Sequence, residues 1–160
     1  METVTKLPAL ATPFTLRQAA GESDSTFLYE LKKQVLRGYV EKIWGWDEAV
    51  QLQYHAANYH PELTSIIMVN GNNAGTVEID NREQELFICS LYLLPQYQNQ
   101  GIGSAVITQC MEQAKQQGKR LSLEVLLSNT RARELYLRLG FTAMPQDNDI
   151  KIFMYKDFAS

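Results

Sequence analysis

Cysteine is scarce in this chain of 160 residues, which contains two, Cys89 and Cys110. They form no CxxC pair and have no His at the spacing of a zinc site, so a metal centre is not expected. Both lie in apolar runs, which predicts two reduced thiols in the core. A domain of this length buries about 70% of its unfolded surface, so neither a disulfide nor a metal is needed for stability.

Clusters of one charge and long apolar runs are also missing. The 15 basic and 18 acidic residues give a net charge of −3, and the densest basic stretches are Lys32-Lys33 and Arg131/Arg133. This argues against nucleic-acid binding through phosphate neutralisation. No apolar run approaches 18 residues and the N-terminus has no signal-peptide pattern. We therefore expect no membrane association and a cytoplasmic location.

The composition that is present, 45% hydrophobic and 21% charged, is that of one globular domain. We expect a tail over residues 1–13 and a single domain over 14–160. Apolar periodicity and turn residues predict strands at 14–17, 66–69, 76–79, 86–94, 121–125, 141 and 150–155. They also predict helices beginning at Ser23 or Asp24, at Asp47, at Ile102 and near Asn129. The order β-α-α-β-β-β-α-β-α-β-β indicates an α/β class with a mixed sheet and helices on its faces.

The most informative segment is the run Gln-Tyr-Gln-Asn-Gln-Gly-Ile-Gly-Ser at 96–104, between a predicted strand and a predicted helix. Gly101 and Gly103 allow a tight turn and close approach of a ligand. Free N–H groups at the start of the helix favour an anion such as a diphosphate. A dinucleotide-binding fingerprint would need a glycine where Val106 stands, and the lysine of a P-loop is missing. A turn without a ligand is the alternative.

A second motif follows the next strand, with Asn129, Ala132, Tyr136, Gly140 and Phe141 at fixed spacing. Together with Gln98-x-x-Gly101-x-Gly103, it resembles the two coenzyme A motifs of the GNAT superfamily of acetyl-CoA-dependent N-acetyltransferases. The resemblance covers roughly residues 64–155; over 1–60 it consists only of the order of elements. It implies the GNAT acyl-CoA N-acyltransferase fold, with acetyl-CoA as cosubstrate.

The resemblance also implies where coenzyme A would bind. Strands 86–94 and 120–126 would splay apart around the pantetheine arm, which would pair with backbone groups near Leu91 and Leu93. Asn129 would bond this arm or cap its helix, and Arg131 would contact phosphate or face solvent. The diphosphate would be held by backbone N–H groups of the loop residues Gln98, Asn99, Gln100, Gly101, Ile102, Gly103 and Ser104, with the Ser104 hydroxyl added.

The implied chemistry is attack of an amine on the thioester. An alkylamine with a pKa near 10.4 is mostly ammonium at pH 7, and neutralising it costs roughly 4–5 kcal/mol, so a base is expected. Tyr136 matches the family position whose phenol faces the sulfur, which makes it the expected general acid. Glu78 is the first candidate for the base and Glu85 the second. A water chain without a dedicated residue is the alternative.

Aromatic residues of the N-terminal part are candidates for binding the acceptor. Tyr39, Trp44 and Trp46, with Tyr54, would form walls near Glu41, Asp47 or Glu48 and attract a cationic amine. The alternative is that they seal the helices onto the sheet. His55 and His60 are expected at the surface without a role.

The expected acceptor is a primary amine of a small molecule, a peptide or a protein. The alternatives are transfer of a longer acyl group and a non-catalytic sensor or interaction module that binds coenzyme A. A homodimer is a further option, because family members often dimerise.

Overall fold

The structure, a computed structural model, describes residues 12–144 and 149–158. The strands are β1 (Thr15–Gln18), β2 (Thr64–Val69), β3 (Asn72–Asn81), β4 (Glu85–Leu93), β5 (Arg120–Leu126), β6 (Thr142–Ala143) and β7 (Lys151–Lys156). The helices are α1 (Gly21–Ile43), α2 (Glu48–Asn58), α3 (Ile102–Gln116) and α4 (Thr130–Arg138), with single 3-10 turns at Pro61–Leu63 and Pro95–Tyr97. The predicted order of elements is confirmed.

The strands form one mixed sheet in the order β1-β2-β3-β4-β5-β7-β6. β4 and β5 are parallel, and the other neighbouring strands are antiparallel. A parallel pair needs a crossover connection, which α3 supplies. The predicted α/β class with a mixed sheet is therefore confirmed.

The main core lies between the sheet and α3. Alternate residues of β5, Leu121, Leu123 and Val125, are buried in the same cluster as Val106 and Cys110 of α3. The spacing of four residues along α3 and of two along β5 produces this match of faces. Cys110 is thus a core thiol, as predicted.

A β-bulge interrupts β4 at Cys89. Glu78 of β3 pairs with Ser90, and the next β3 residue, Ile79, pairs with Ile88, so Cys89 has no partner in the register. Cys89 is consequently exposed, and the prediction of a core position for this thiol is wrong. A bulge bends its strand and increases the local twist.

Pairing between β4 and β5 extends only from Glu85–Arg120 to Ile88–Leu123. Beyond Ile88 and the bulge, the register of the two parallel strands ends although both continue. The predicted splay of the two strands is therefore present, and it begins at the bulge.

The first helix begins earlier than predicted. α1 starts at Gly21 with Ala20 at its N-cap, so neither Ser23 nor Asp24 is the cap. The Asp24 carboxylate instead turns back, accepting bonds from the Ala20 N–H at 2.9 Å and from Arg17 of β1 at 2.8 and 2.9 Å. These bonds, that of Arg17 above all, lower the pKa of buried Asp24.

The remaining turns follow their sequence signals. Asp47 caps α2 by accepting the Val50 N–H at 3.2 Å, and Asn70-Gly71 turns the β2–β3 hairpin with φ of 51° and 79°. β3 is longer than the predicted 76–79, because pairing with β2 already starts at Asn72. Of the predicted N-terminal tail, residues 1–11 lie outside the described residues. Across 12–144 and 149–158, no helix has the length and apolarity needed to cross a membrane.

Candidate active site

The splayed half of β4 forms one wall of the candidate site. Leu91 and Leu93 pair with Val77 and Gly75 of β3, which occupies one edge of this segment. On the β5 side, Cys89–Leu93 has no ladder partner within the described residues. A backbone edge of this kind accepts an extended ligand as an added strand.

The second part of the site is the turn from β4 into α3. Asn99 and Gly101 have positive φ angles of 63° and 80°, and Gly101 is the N-cap of α3 without a side-chain cap. The first intrahelical bond runs from the Ala105 N–H to the Gly101 carbonyl. The N–H groups of residues 102–104 precede that bond and carry the positive end of the helix dipole, so an anion fits here.

Loop contacts refine the predicted anion ligands. The Gln98 carboxamide donates to the Leu93 carbonyl at 2.9 Å, and the Gln98 N–H donates to the Pro95 carbonyl at 3.2 Å. Gln98 therefore ties the loop to the end of β4, and its N–H is already used. Gly103 has room for a Cβ, because the nearest atom would be Leu93 Cδ1 at 3.8 Å. Packing within the protein does not require a glycine there.

Tyr136 of α4 is half-buried, with its ring 5.6 Å from that of Phe141. Burial raises the pKa of Tyr136 to about 12. The phenol is thus protonated at neutral pH, as a proton donor must be.

Asn129, at the start of the same helix, accepts the Ala132 N–H at 3.2 Å, which confirms it as the N-cap. It also accepts a bond from the Tyr39 hydroxyl of α1 at 3.3 Å. The predicted residues Tyr39 and Asn129 are therefore in contact. Arg131 is exposed.

Glu78 of β3 is half-buried and lies opposite Ser90, next to the bulge. Burial raises the pKa of Glu78, against the opposing effects of His60 and Lys32. A carboxylate with a raised pKa is a stronger base, which suits proton abstraction. The Cys89 thiol is nearby, and partial burial and the Glu78 charge raise its pKa to about 12. Cys89 is therefore a protonated thiol and a poor nucleophile at neutral pH.

Glu85, the second candidate for the base, lies at the other end of β4. It pairs with Arg120 in the closed part of the sheet. Its carboxylate accepts a bond from the Ser122 hydroxyl and another from Arg82 at 3.1 Å. Through these contacts, Glu85 links β4 to β5 where the two strands are paired.

Tyr92 belongs to the site and was missed in the sequence, where it lies in the apolar run 91–94. The register sets it opposite Thr76, on the sheet face shared by Glu78 and Ser90. Burial raises the pKa of Tyr92, and the charges of Glu78, Tyr54 and Tyr136 raise it further. Tyr92 therefore lies on the same sheet face as the candidate base, Glu78.

Gly75 fixes the backbone next to Tyr92. A Cβ at position 75 would lie 2.2 Å from the Tyr92 carbonyl oxygen and 2.8 Å from a Leu93 methyl carbon. Any larger residue would push β3 away from β4 at the site. The predicted strand begins at residue 76 and so leaves Gly75 outside it. In the structure Gly75 lies inside β3, where a glycine often marks close backbone approach.

The aromatic residues predicted for the acceptor separate into two groups. Trp46 donates to Glu48 at 3.0 Å and lies 5.7 Å from the Arg37 guanidinium, so it joins α1 to the start of α2. Glu48 also accepts from Tyr29 at 2.6 Å, and these bonds lower its pKa to about 2. Trp44 and Tyr54 are 59% and 62% exposed and remain available to a ligand.

His55 is buried, not at the surface as predicted, with 6% of its area exposed. Its Nε2 lies 2.9 Å from the Ser25 hydroxyl, and its ring packs between Tyr29 and Tyr59. Burial lowers the pKa of His55, and the positive charge of Lys32 lowers it further. The prediction failed because α2 lays this helix face against α1. His60 is exposed, as predicted, 3.6 Å from Glu62.

A bulged, splayed pair of parallel strands, with an uncapped helix N-terminus beside it, defines a class of protein that binds an extended ligand bearing an anionic group. The model of the acetyltransferase (GNAT) family matches residues 25–141. The chain therefore belongs to the GNAT acetyltransferase family, a family of acyltransferases, and the predicted family is confirmed.

Solved structures show the same fold. The PaiA N-acetyltransferase of Thermoplasma acidophilum, crystallised with coenzyme A, is 18% identical with a TM-score of 0.73, covering 91% of this chain and 99% of that one. The ribosomal-protein-S18-alanine N-acetyltransferase of Escherichia coli is 22% identical with a TM-score of 0.66, covering 92% and 97%. Arabidopsis thaliana Naa50, in complex with a bisubstrate analogue, is 18% identical with a TM-score of 0.63, covering 91% and 99%.

A curated relative matches over a shorter stretch. An uncharacterized N-acetyltransferase of Methanocaldococcus jannaschii is 35% identical over an alignment of 81 residues, and the match covers 46% of this chain. The chain matches about a third (36%) of the length of that relative.

Proposed function

We propose that this protein transfers the acetyl group of acetyl-CoA to a primary amine, by direct attack within a ternary complex. The observation that carries the proposal is the gap between β4 and β5, which opens at the Cys89 bulge beside the α3 N-terminus. An extended pantetheine arm fits the free edge of β4, and a diphosphate fits the N–H groups of residues 102–104. The loop 96–104 contains no charged residue that would repel it.

Acetyl-CoA, when bound, supplies the electrophilic thioester carbonyl. Glu78 accepts a proton from the ammonium form of the acceptor, directly or through water, and leaves the amine nitrogen a free electron pair. As the new C–N bond forms and the C–S bond breaks, Tyr136 gives its phenolic proton to the departing sulfur. The second proton that the nitrogen loses on becoming an amide passes to the Tyr136 oxygen, directly or through water, and restores the phenol, while Glu78 releases its proton to solvent. The products are an N-acetyl amide and a thiol. The raised pKa of Glu78 suits a base, and that of Tyr136 keeps its phenol protonated at neutral pH.

The acceptor side is proposed to lie on the α1–α2 face of the sheet, around Glu78, Tyr92 and the exposed Tyr54. Three of the predicted residues, Tyr39, Trp44 and Trp46, come from α1 or follow it; the structure gives Tyr39 and Trp46 partners within the protein. The similar structures named above include a ribosomal-protein alanine N-acetyltransferase and a complex with a bisubstrate analogue, which supports an amine of a peptide or a protein; an amine of a small molecule is the alternative.

The test is a thiol-release screen with acetyl-CoA against polyamines, amino acids, aminoglycosides and peptides with free N-termini. We expect release with one class, lost in Glu78→Gln and retained in the control Glu124→Gln, an exposed β5 carboxylate. Acetyl-CoA that raises the melting temperature without release by any acceptor would favour the sensor. Thiol release from a longer acyl-CoA but not from acetyl-CoA would favour transfer of a longer acyl group. Absence of any thermal shift would contradict the assignment of the loop at 96–104.

A further inference from the structure

The N-terminal segment is bonded to the candidate diphosphate loop. The Thr12 N–H donates to the Gln100 carbonyl at 3.1 Å, and the Thr12 hydroxyl donates to the Gln100 side-chain oxygen at 2.9 Å. The nitrogen of the same carboxamide donates to the Gln96 carbonyl at 2.8 Å. Both ends of the carboxamide thus have partners of the right kind.

Gln100 is the residue on which the shape of this loop depends. It lies between Asn99 and Gly101, which both have the left-handed backbone conformation. Asn99 is not a glycine, so this conformation costs it more than it costs Gly101, although asparagine adopts it more readily than most residues. The hydrogen bonds of Gln100 connect the loop to Gln96, which precedes Asn99, and to Thr12 of the N-terminal segment.

Thr12 is itself fixed by the residues that follow it. Phe14 packs against the hydrophobic core, and β1 pairs with β2 from Thr15↔Met68 onward. The contact therefore links the sheet edge to a loop 88 residues away in the sequence. Residues 12–14 act as a strap between the core and the loop.

We infer that Thr12 is a positioning residue for coenzyme A, acting through Gln100 on the loop that receives the diphosphate. This inference rests on the proposed function. When the loop already has its binding conformation, no binding free energy is spent on ordering the loop. Loss of the strap therefore weakens binding. The effect is specific to ligands that carry the diphosphate, because the pantetheine arm binds along β4.

The test compares Thr12→Val, which keeps the shape and the backbone N–H but loses the hydroxyl, with Thr12→Ser, which keeps the hydroxyl. Thr15→Val, the same change at an exposed threonine of β1, is the matched control. Affinities for coenzyme A and 3′-dephospho-coenzyme A are measured by calorimetry, and that for pantetheine by ligand-observed NMR. Loss of one hydrogen bond predicts about five-fold weaker binding of the first two ligands by Thr12→Val. Pantetheine binding, Thr12→Ser and Thr15→Val are expected to match the wild type.

A double-mutant cycle with Gln100→Ala checks the route. After Gln100→Ala, adding Thr12→Val is expected to weaken coenzyme A binding no further. Additive losses, equal losses for pantetheine, or wild-type affinity in Thr12→Val would each overturn the inference. A wild-type protein that binds no coenzyme A would overturn the proposed function as well, which separates the two failures.

Discussion

At the scale of single residues, the candidate site depends on groups whose protonation is set by burial. Glu78, Tyr92 and Tyr136 are all half-buried, and all three have raised pKa values. Burial disfavours the charged form of each. The result is a carboxylate with increased basicity, together with two phenols that keep their protons at neutral pH.

Replacing Tyr136 by Phe is expected to lower kcat by about 100-fold, because the departing sulfur loses its proton donor. The dissociation constant of coenzyme A should change little, since the ring still packs on Phe141. Steady-state kinetics and calorimetry measure the two effects. Tyr155→Phe is the control, because its ring under Arg120 is retained and it lies on β7. Wild-type turnover in Tyr136→Phe would remove the acid role.

Replacing Glu78 by Gln is expected to lower turnover and to raise the melting temperature at pH 7. The folded chain binds the Glu78 proton more tightly than the unfolded chain does, because burial raises its pKa. The free energy of unfolding therefore decreases as pH rises from the ordinary glutamate pKa of 4.5 through the raised value. Glutamine at this position carries no charge, so the variant avoids the cost of burying a carboxylate. Its higher melting temperature relative to the wild type should therefore vanish below pH 4.5, where Glu78 is protonated in both states.

Thermal unfolding of Glu78→Gln and wild type across this pH range is the measurement, with Glu124→Gln as the control. A variant less stable than the wild type at pH 7 would show that Glu78 contributes more through its partners than its burial costs. In the wild type, kcat/KM should fall on the acid side with an apparent pKa above 4.5.

At the scale of elements, β3 and β4 are in close contact beyond the bulge. The contact requires a glycine at 75, because a Cβ there would meet the Tyr92 carbonyl oxygen at 2.2 Å. The bulge, at Cys89, and this contact, at Tyr92 and Leu93, lie close together along the same pair of strands. Together they set the direction of the β4 segment that carries Tyr92.

Gly75→Ala is therefore expected to destabilise the protein by about 1–3 kcal/mol through overpacking. Gly38→Ala is the matched control: Gly38 lies inside α1, and a Cβ there would meet nothing within 4 Å. That change should stabilise the protein by up to about 1 kcal/mol, because alanine favours a helix. Urea unfolding measures both changes. Equal stability of the two variants would mean that β3 moves aside without cost.

At the scale of the whole molecule, local patterns predicted most of the fold. The Asn70-Gly71 turn, the Asp47 cap and the four-residue spacing along α3 are local signals, and the structure follows them. Two motifs sufficed to assign the family. The start of α1 was misplaced because Asp24 bonds back to Arg17, a partner supplied by the tertiary structure.

The errors at the site arose from contacts between distant segments. Cys89 is exposed because of a bulge that depends on pairing with β3, and His55 is buried because α2 packs against α1. Tyr92 was missed because it lies in an apolar run, and only the pairing of β4 with β3 shows that it shares a sheet face with Glu78. None of these relations has a signal in the residues themselves.

The divergence of β4 and β5 gives the sheet an internal edge. Exposed strand edges are sites where other chains add and aggregation starts. Here the stretch of β4 that has no ladder partner on its β5 side, within the described residues, is only five residues long, Cys89–Leu93, and the four pairs from Glu85 to Ile88 close one end of it. Under the proposed function, the pantetheine arm of acetyl-CoA would lie along this stretch and complete the sheet, while so short an edge offers a second chain few backbone hydrogen bonds.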